Sequence, residues 1–151
     1  MIKILCVGKI KEQYLKDAIM EYEKRIHKYS KIEIIEIPDF DNENIGIIKN
    51  HECDLILKHI DSKDYIITLE IEGEMIDSIT FSKKIDNILM NNSNITFIIG
   101  GSYGLSDNIK AISNYKLSFS KMTFPHQLFR VILLEQIYRA FKILKNESYH
   151  K

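Results

Sequence analysis

Ile95-Thr96-Phe97-Ile98-Ile99-Gly100-Gly101-Ser102-Tyr103-Gly104 is the stretch whose reading decides the fold. Residues 95–99 are apolar or β-branched without a polar break, as a strand buried on both faces should be. The run enters Gly100-Gly101 directly. Glycines at a strand end let backbone approach a ligand closely, and their N–H groups can meet its polar atoms. A tight turn is the plainer account of the same residues. The pattern is GGxxG, and it follows a late strand. A dinucleotide fingerprint is GxGxxG after the first strand, so a nicotinamide-dependent oxidoreductase fits poorly.

Outward from this stretch the same alternation recurs. Residues 2–8 read as a buried strand, 31–37 as a β-branched strand stopped by Pro38, and 65–71 as a strand ended by Glu72-Gly73-Glu74. Residues 115–119 are a weaker fifth strand. Between them, 11–29, 45–60 and 78–90 carry apolar residues at helical spacing. Tyr14, Ala18, Ile19, Tyr22 and Ile26 are the expected inward face of the first helix, and Ile48, Leu55 and Ile56 that of the second. A short helix is expected after a cap at Ser106 or Asp107, and a long one from Pro125 to Lys145. Strand and helix in alternation predict an α/β fold with a mostly parallel sheet. In such sheets ligands bind beyond the carboxyl ends of the strands. With no linker, repeat or low-complexity segment, residues 1–151 are expected to form a single domain.

Composition narrows the class. The 151 residues are 45% hydrophobic and 28% charged with zero net charge, which excludes a disordered chain. No apolar run approaches the roughly 20 residues that span a bilayer, and the N-terminus is too short and lacks the basic leader of a signal peptide. A cytoplasmic protein is expected. Cys6 and Cys53 are expected to be reduced thiols. No HExxH or CxxC spacing supports a metal. Charge is uneven: residues 112–151 carry a net +5, a mild pointer to an anionic partner such as RNA, although a solvated basic helix face would look the same.

The least generic stretch is Leu117-Ser118-Phe119-Ser120-Lys121-Met122-Thr123-Phe124-Pro125-His126-Gln127. Phe119, Met122 and Phe124 can wall a flat aromatic ligand while backbone groups read its edge, or they can simply be core. His126 and Arg130, four apart, share a helix face. One can move a proton near neutrality and the other can pair with phosphate; a capping His and a solvated Arg are the ordinary alternative. Tyr149-His150-Lys151 is either a frayed end or an aromatic, a titratable ring and a cation able to grip a base. Glu70 and Glu72 flank a strand end, with no partner visible that makes them catalytic. The apolar surface of the last helix (Leu128, Val131, Ile132, Leu134, Ile137, Tyr138, Phe141, Leu144) is wider than one sheet face needs. A homodimer is the simplest account, and burial within the monomer competes with it.

Together these pieces resemble one family. Val7-Gly8-Lys9, Ile34-Ile35-Glu36-Ile37-Pro38, Thr68-Leu69-Glu70-Ile71-x-Gly73, Ile99-Gly100-Gly101-x-x-Gly104-Leu105, Leu117-Ser118-x-Ser120, Thr123-x-Pro125-His126, Arg130-Val131, Glu135-Gln136-x-Tyr138-Arg139-Ala140 and the closing Tyr149-His150-Lys151 occur in the order found in the small RlmH-type methyltransferases of the SPOUT class. The resemblance covers essentially the whole chain. Its main departure is a compact acidic loop around residues 39–50.

The resemblance implies a SPOUT-type α/β fold, with helices flanking a parallel sheet and a deep trefoil knot near the C-terminus, in a homodimer. It implies methyl transfer from S-adenosyl-L-methionine to N3 of a pseudouridine in 23S ribosomal RNA of the assembled ribosome, with no metal. By the same resemblance the cofactor site falls on Leu69, Gly100, Phe119, Ser120, Lys121, Met122, Thr123 and Phe124. His126, Arg130 and His150 are the catalytic candidates, and Arg130, Tyr149, His150 and Lys151 the RNA-binding ones. The alternatives are a SPOUT enzyme acting on transfer RNA, and a ribosome-associated module that binds the cofactor without catalysis.

Overall fold

A computed structural model describes residues 1–151. The chain runs β1 (Ile2–Val7), α1 (Gln13–Ile26), β2 (Ile32–Ile37), α2 (Ile45–Leu57), β3 (Asp64–Met75), α3 (Ser78–Asn91), β4 (Asn94–Ile99), α4 (Asp107–Ile112), β5 (Tyr115–Ser118) and α5 (His126–Leu144). The five strands form one sheet in the order β2-β1-β4-β3-β5, with every pairing parallel. This is the α/β architecture that the alternation predicts.

Two cores explain the strand sequences. Ile2, Ile4 and Cys6 face one side of β1, and Leu5 and Val7 the other, because strand side chains alternate. The first face joins Ile67, Ile95, Phe97 and Ile99 beneath Leu133, Leu134, Ile137 and Phe141 of α5. There α5 packs against both α1 and α3. The second face lies under α2 and α4, with Cys53, Ile56 and Ile109 buried against it. Both cysteines are buried free thiols. No helix is long and apolar enough to cross a membrane.

Helix starts follow local chemistry. The side chains of Asn44, Asp77 and Ser106 accept from the N–H groups of Ile47, Thr80 and Ile109, capping α2, α3 and α4.

Two expectations change. Tyr14 is 71% exposed, and the buried face of α1 turns on Leu15 and Ile26. The helical spacing fits both stripes, and the position of α5 chooses between them. The strand expected to stop at 71 continues to Met75. It bulges between Leu69 and Glu74, where both residues face Leu117 of β5. Gly73 permits this, since a Cβ there would lie 2.8 Å from backbone atoms of Lys116 and Leu117. The bulge keeps β5 in the sheet while residues 70–73 leave it, which opens space at the carboxyl edge.

At the opposite edge, Lys3 Nζ sits 2.6 Å from Asp64 Oδ2, both side chains almost fully buried. Burial alone would raise the Asp64 pKa. Hydrogen bonds from the Asp61 backbone, Lys3 and Asn94 outweigh it and hold the carboxyl below its ordinary value. A depressed carboxylate stabilises the fold above its unfolded pKa of about 3.9, and that stability is lost as pH falls through the folded value. Urea midpoints at pH 6 and pH 3 should therefore fall further in the native protein than in Asp64→Asn, and equal falls would show that Asp64 carries none of the acid sensitivity.

Candidate active site

A cleft of about 220 Å³ opens at the carboxyl edge, where β3, β4 and β5 end. Its walls are Leu69–Ile71, Ile99–Ser102 with Gly104 and Leu105, Leu117–Ser120 and Met122–Phe124, with His126 and Phe129 from the start of α5. Residues 100–105 form a tight loop, closed by Gly104 N–H donating to the Gly101 carbonyl at 3.0 Å. A Cβ on Gly100 would lie 2.8 Å from the Gly104 carbonyl carbon, so the loop folds back only over glycine.

The connection from β5 to α5 supplies the opposite wall. Ser118 Oγ donates to the Ser120 carbonyl, and Met122 N–H donates to Ser120 Oγ. The N–H groups of Thr123 and Phe124, both on the cleft wall, have no partner within the chain. Phe119 meets Phe129 edge to face at 5.0 Å, and Phe124 stacks on Phe129 at 6.2 Å. Flat apolar walls beside free backbone donors suit a purine-like ring whose edge carries acceptors.

The structure brings together most of the residues singled out from sequence. Leu69, Gly100, Phe119, Ser120, Met122, Thr123 and Phe124 all line this cleft, and so does His126. Lys121 does not line it and points to solvent. Tyr149 and His150 lie elsewhere, folded back on α5. The Tyr149 ring meets Tyr138 edge to face at 4.9 Å, Arg139 lies over it at 4.7 Å, and its hydroxyl donates to Glu135 at 3.0 Å. The tail is therefore held, against the frayed alternative. Arg139 also donates to His150 Nδ1 at 3.2 Å, which leaves Nε2 as the position for the proton of the neutral ring. His150 edges a second groove, between α3, α5 and the end of β5. Lys151 is exposed at the terminus. No group of three or more His, Cys, Asp or Glu is arranged to hold a metal.

Arg130 is the correction. Expected to meet substrate or RNA, it is 1% exposed. Its guanidinium donates to Glu36 at 2.8 Å and to the carbonyls of Val7 and Gly8 at 3.1 and 2.6 Å. Glu36 also accepts from Ile10 N–H. A planar fork with several fixed donors is well suited to tying three chain segments together, and here it leaves no face for a ligand. Spacing places Arg130 on the His126 face, but only the approach of β1 and β2 shows what that face meets. In the sequence Glu36 is one of two glutamates in an otherwise apolar strand and part of a family motif, with no partner visible for it.

His126 stands one turn before Arg130. Burial holds its pKa below the ordinary histidine value, with the Arg130 charge adding to this and Asp39 partly opposing it. The ring is thus neutral near pH 7, with a lone pair available as a base.

A family model described as "Predicted SPOUT methyltransferase" matches residues 1–150. The chain belongs to the SPOUT methyltransferase family. It is 56% identical to the ribosomal RNA large subunit methyltransferase H of Clostridium botulinum strain 657, over 99% of both chains. It is 56% identical to the putative enzyme of that name from Methanococcus maripaludis strain C5 and 54% identical to one from Clostridium perfringens strain SM101, again over 99% of each chain. A solved structure of a probable methylase family protein from Haemophilus influenzae superposes with a TM-score of 0.59. At 12% identity, covering 99% of this chain and 70% of that one, it shares the fold. As a member of this family the chain is a methyltransferase, and the glycine loop and the 117–124 connection are the walls of its candidate active site.

Two measurements test this geometry. Arg130→Met should destabilise the fold by about 3 kcal/mol through the orphaned Glu36 and carbonyls, a fall of roughly 6–12 °C in Tm. Arg130→Lys should recover only part of this, because one ammonium cannot span the three acceptors. In a proton NMR titration the His126 ring should show a midpoint below 6.5. Since its folded pKa is depressed, the linked stability is fully present above the unfolded value and lost as pH drops towards the folded one. A midpoint at or above 6.5 would contradict the burial of the ring.

Proposed function

We propose that this protein methylates N3 of a pseudouridine in 23S ribosomal RNA, using S-adenosyl-L-methionine and acting in the cytoplasm on the assembled ribosome. The observation that carries the reading is the single cleft that unites the glycine loop, the aromatic and backbone-donor wall of residues 117–124, and a neutral His126, in a chain of this family. The names of the relatives supply the substrate class. A dinucleotide oxidoreductase has no corresponding support.

The residues present fit the cofactor. Phe119, Phe124 and Phe129 offer flat walls for an adenine, and free N–H groups at 123 and 124 offer donors to its edge. When bound, S-adenosyl-L-methionine supplies an electrophilic sulfonium methyl, so the chemistry needs no metal. The protein's part is to make N3 nucleophilic. The neutral imide must lose its N3 proton, and His126 accepts it, a contribution of about 10²–10⁴ in rate. His150, with Nδ1 engaged by Arg139, presents Nε2–H to a carbonyl oxygen of the base and spreads the developing charge. Arg130 acts as a positioning residue, keeping His126 against the edge of β1.

Within one chain His150 edges a different groove from His126. The cleft's 220 Å³ is also below the roughly 300–1,000 Å³ of a site that encloses its ligand. Leu128 is 40% exposed on α5, and the neighbouring Met122 and Phe124 are exposed too. A second copy of the chain covering this edge would close the cleft and bring in the tail of its partner, with Tyr149, His150 and Lys151 meeting RNA. The same reading carries a deep trefoil knot near the C-terminus.

Labelled S-adenosyl-L-methionine, offered with intact ribosomes, free large subunits, naked ribosomal RNA and transfer RNA, should place label on one pseudouridine of intact ribosomes only. Label in transfer RNA would overturn the substrate, and cofactor binding without transfer would favour the binding module. His126→Ala should lower the rate by about 10²–10⁴-fold with cofactor affinity little changed.

A further inference from the structure

Glu70 sits where β3 bulges away from β5, and it lines the cleft although its side chain is only 6% exposed. Its partners come from a relay. Thr68 Oγ1, fully buried, donates to Glu70 Oε2 at 2.6 Å. With that proton on Glu70, Thr68 Oγ1 can only accept from Ser113 Oγ at 2.7 Å, and the single Ser113 proton goes there or to the Tyr115 carbonyl at 2.9 Å. One carboxylate oxygen is thus held in place from β3 and from the end of α4. The other, Oε1, has only Lys110 Nζ at 3.9 Å, an ion pair too long for a hydrogen bond. Oε1 lies at the wall of the cleft, so its lone pairs are open to a donor that a ligand brings.

The surroundings say what kind of donor fits. Lys110 already balances the charge, so the position calls for neutral O–H groups in preference to a second cation. A vicinal diol presents such groups to one carboxylate oxygen, as riboses do to an acidic residue at a strand end in other α/β sheets. We propose that Glu70 is a specificity-determining residue of the cofactor site that accepts from the ribose hydroxyls of the nucleoside through Oε1. This rests on the assignment of the cleft to S-adenosyl-L-methionine.

Calorimetric titration of S-adenosylhomocysteine and of 5′-methylthioadenosine tests it, because the second ligand keeps the ribose and lacks the amino acid. Glu70→Ala should weaken both by the same factor, about 10- to 100-fold. Glu70→Gln, which keeps the size and an acceptor oxygen, should weaken both less. The 2′-deoxy form of methylthioadenosine should bind the native protein weakly and lose little further on Glu70→Ala. Thr68→Val leaves every cleft-lining residue in place and should give a smaller loss with the same equal pattern, and unchanged thermal melts would show that each variant is folded. A loss confined to S-adenosylhomocysteine would mean that Glu70 serves the amino group, and unchanged affinity for both would mean that it serves neither; each overturns the proposal while the cofactor site stands. If the native protein binds neither ligand, the cofactor reading itself fails, and this inference with it.

Discussion

Arg130 donates to the carbonyls of Val7 and Gly8 and to the carboxylate of Glu36, and so joins the first turns of α5 to the ends of β1 and β2. Removing a guanidinium from water is costly, and the cost is offset only because several acceptors converge on it. One proton-bearing atom, Nε, remains without a partner, so the arrangement has little slack. The consequences reach the cleft. His126, one turn earlier, is set against β1, and its burial beside that charge keeps its ring neutral. The adjoining connection from Leu117 to Phe124 is anchored at one end by β5 and at the other by this helix start. The same charge lowers the Cys6 thiol pKa, but burial dominates and pushes it up to about 11, so Cys6 stays an inert core residue.

The cleft itself depends on a departure from regular structure. A β3 ending at residue 71 would leave β5 paired only with Ile67, Thr68 and Leu69, and Ser118 without a partner. The bulge lets Glu74 and Met75 pair with β5 while residues 70–73 swing out, and Gly73 permits the close approach. Glu70 is carried to the cleft wall by this excursion. Across the cleft, Gly100 lets the loop from β4 fold tightly on itself. Two glycines therefore shape the site through close backbone approach.

The order of elements was legible because both periodicities are strong. Ile2, Ile4 and Cys6 alternate with Leu5 and Val7, and Ser106 stands where a side-chain acceptor begins a helix. In the 119–124 stretch, Phe119, Met122 and Phe124 read either as walls for a flat ligand or as core, and only the family resemblance pointed to a cofactor; the fold lines the cleft with all of the stretch except Lys121. Tyr14 was misplaced because two stripes of α1 are apolar and only contact with α5 selects one. Arg130 was misread because an arginine four residues from a histidine looks the same whether it faces solvent or a sheet edge. Glu70 was noticed without a role, because its partners Thr68, Ser113 and Lys110 come from two segments more than forty residues apart.

The sequence by itself determined the α/β class, the positions of strands and helices, the absence of a membrane-spanning helix and the family, because those properties reside in local periodicity and in the order of short motifs. The tertiary structure decided which polar residues are buried, which face each other and which remain open to a ligand. Those outcomes depend on sheet order and on pairing across the chain: β1 lies beside both β2 and β4, so Glu36, Gly8 and Arg130 meet, and β3 lies beside β5, so Glu70 leaves the sheet. A contact between residues a hundred positions apart leaves no periodic trace in either segment, and only the packed molecule shows it.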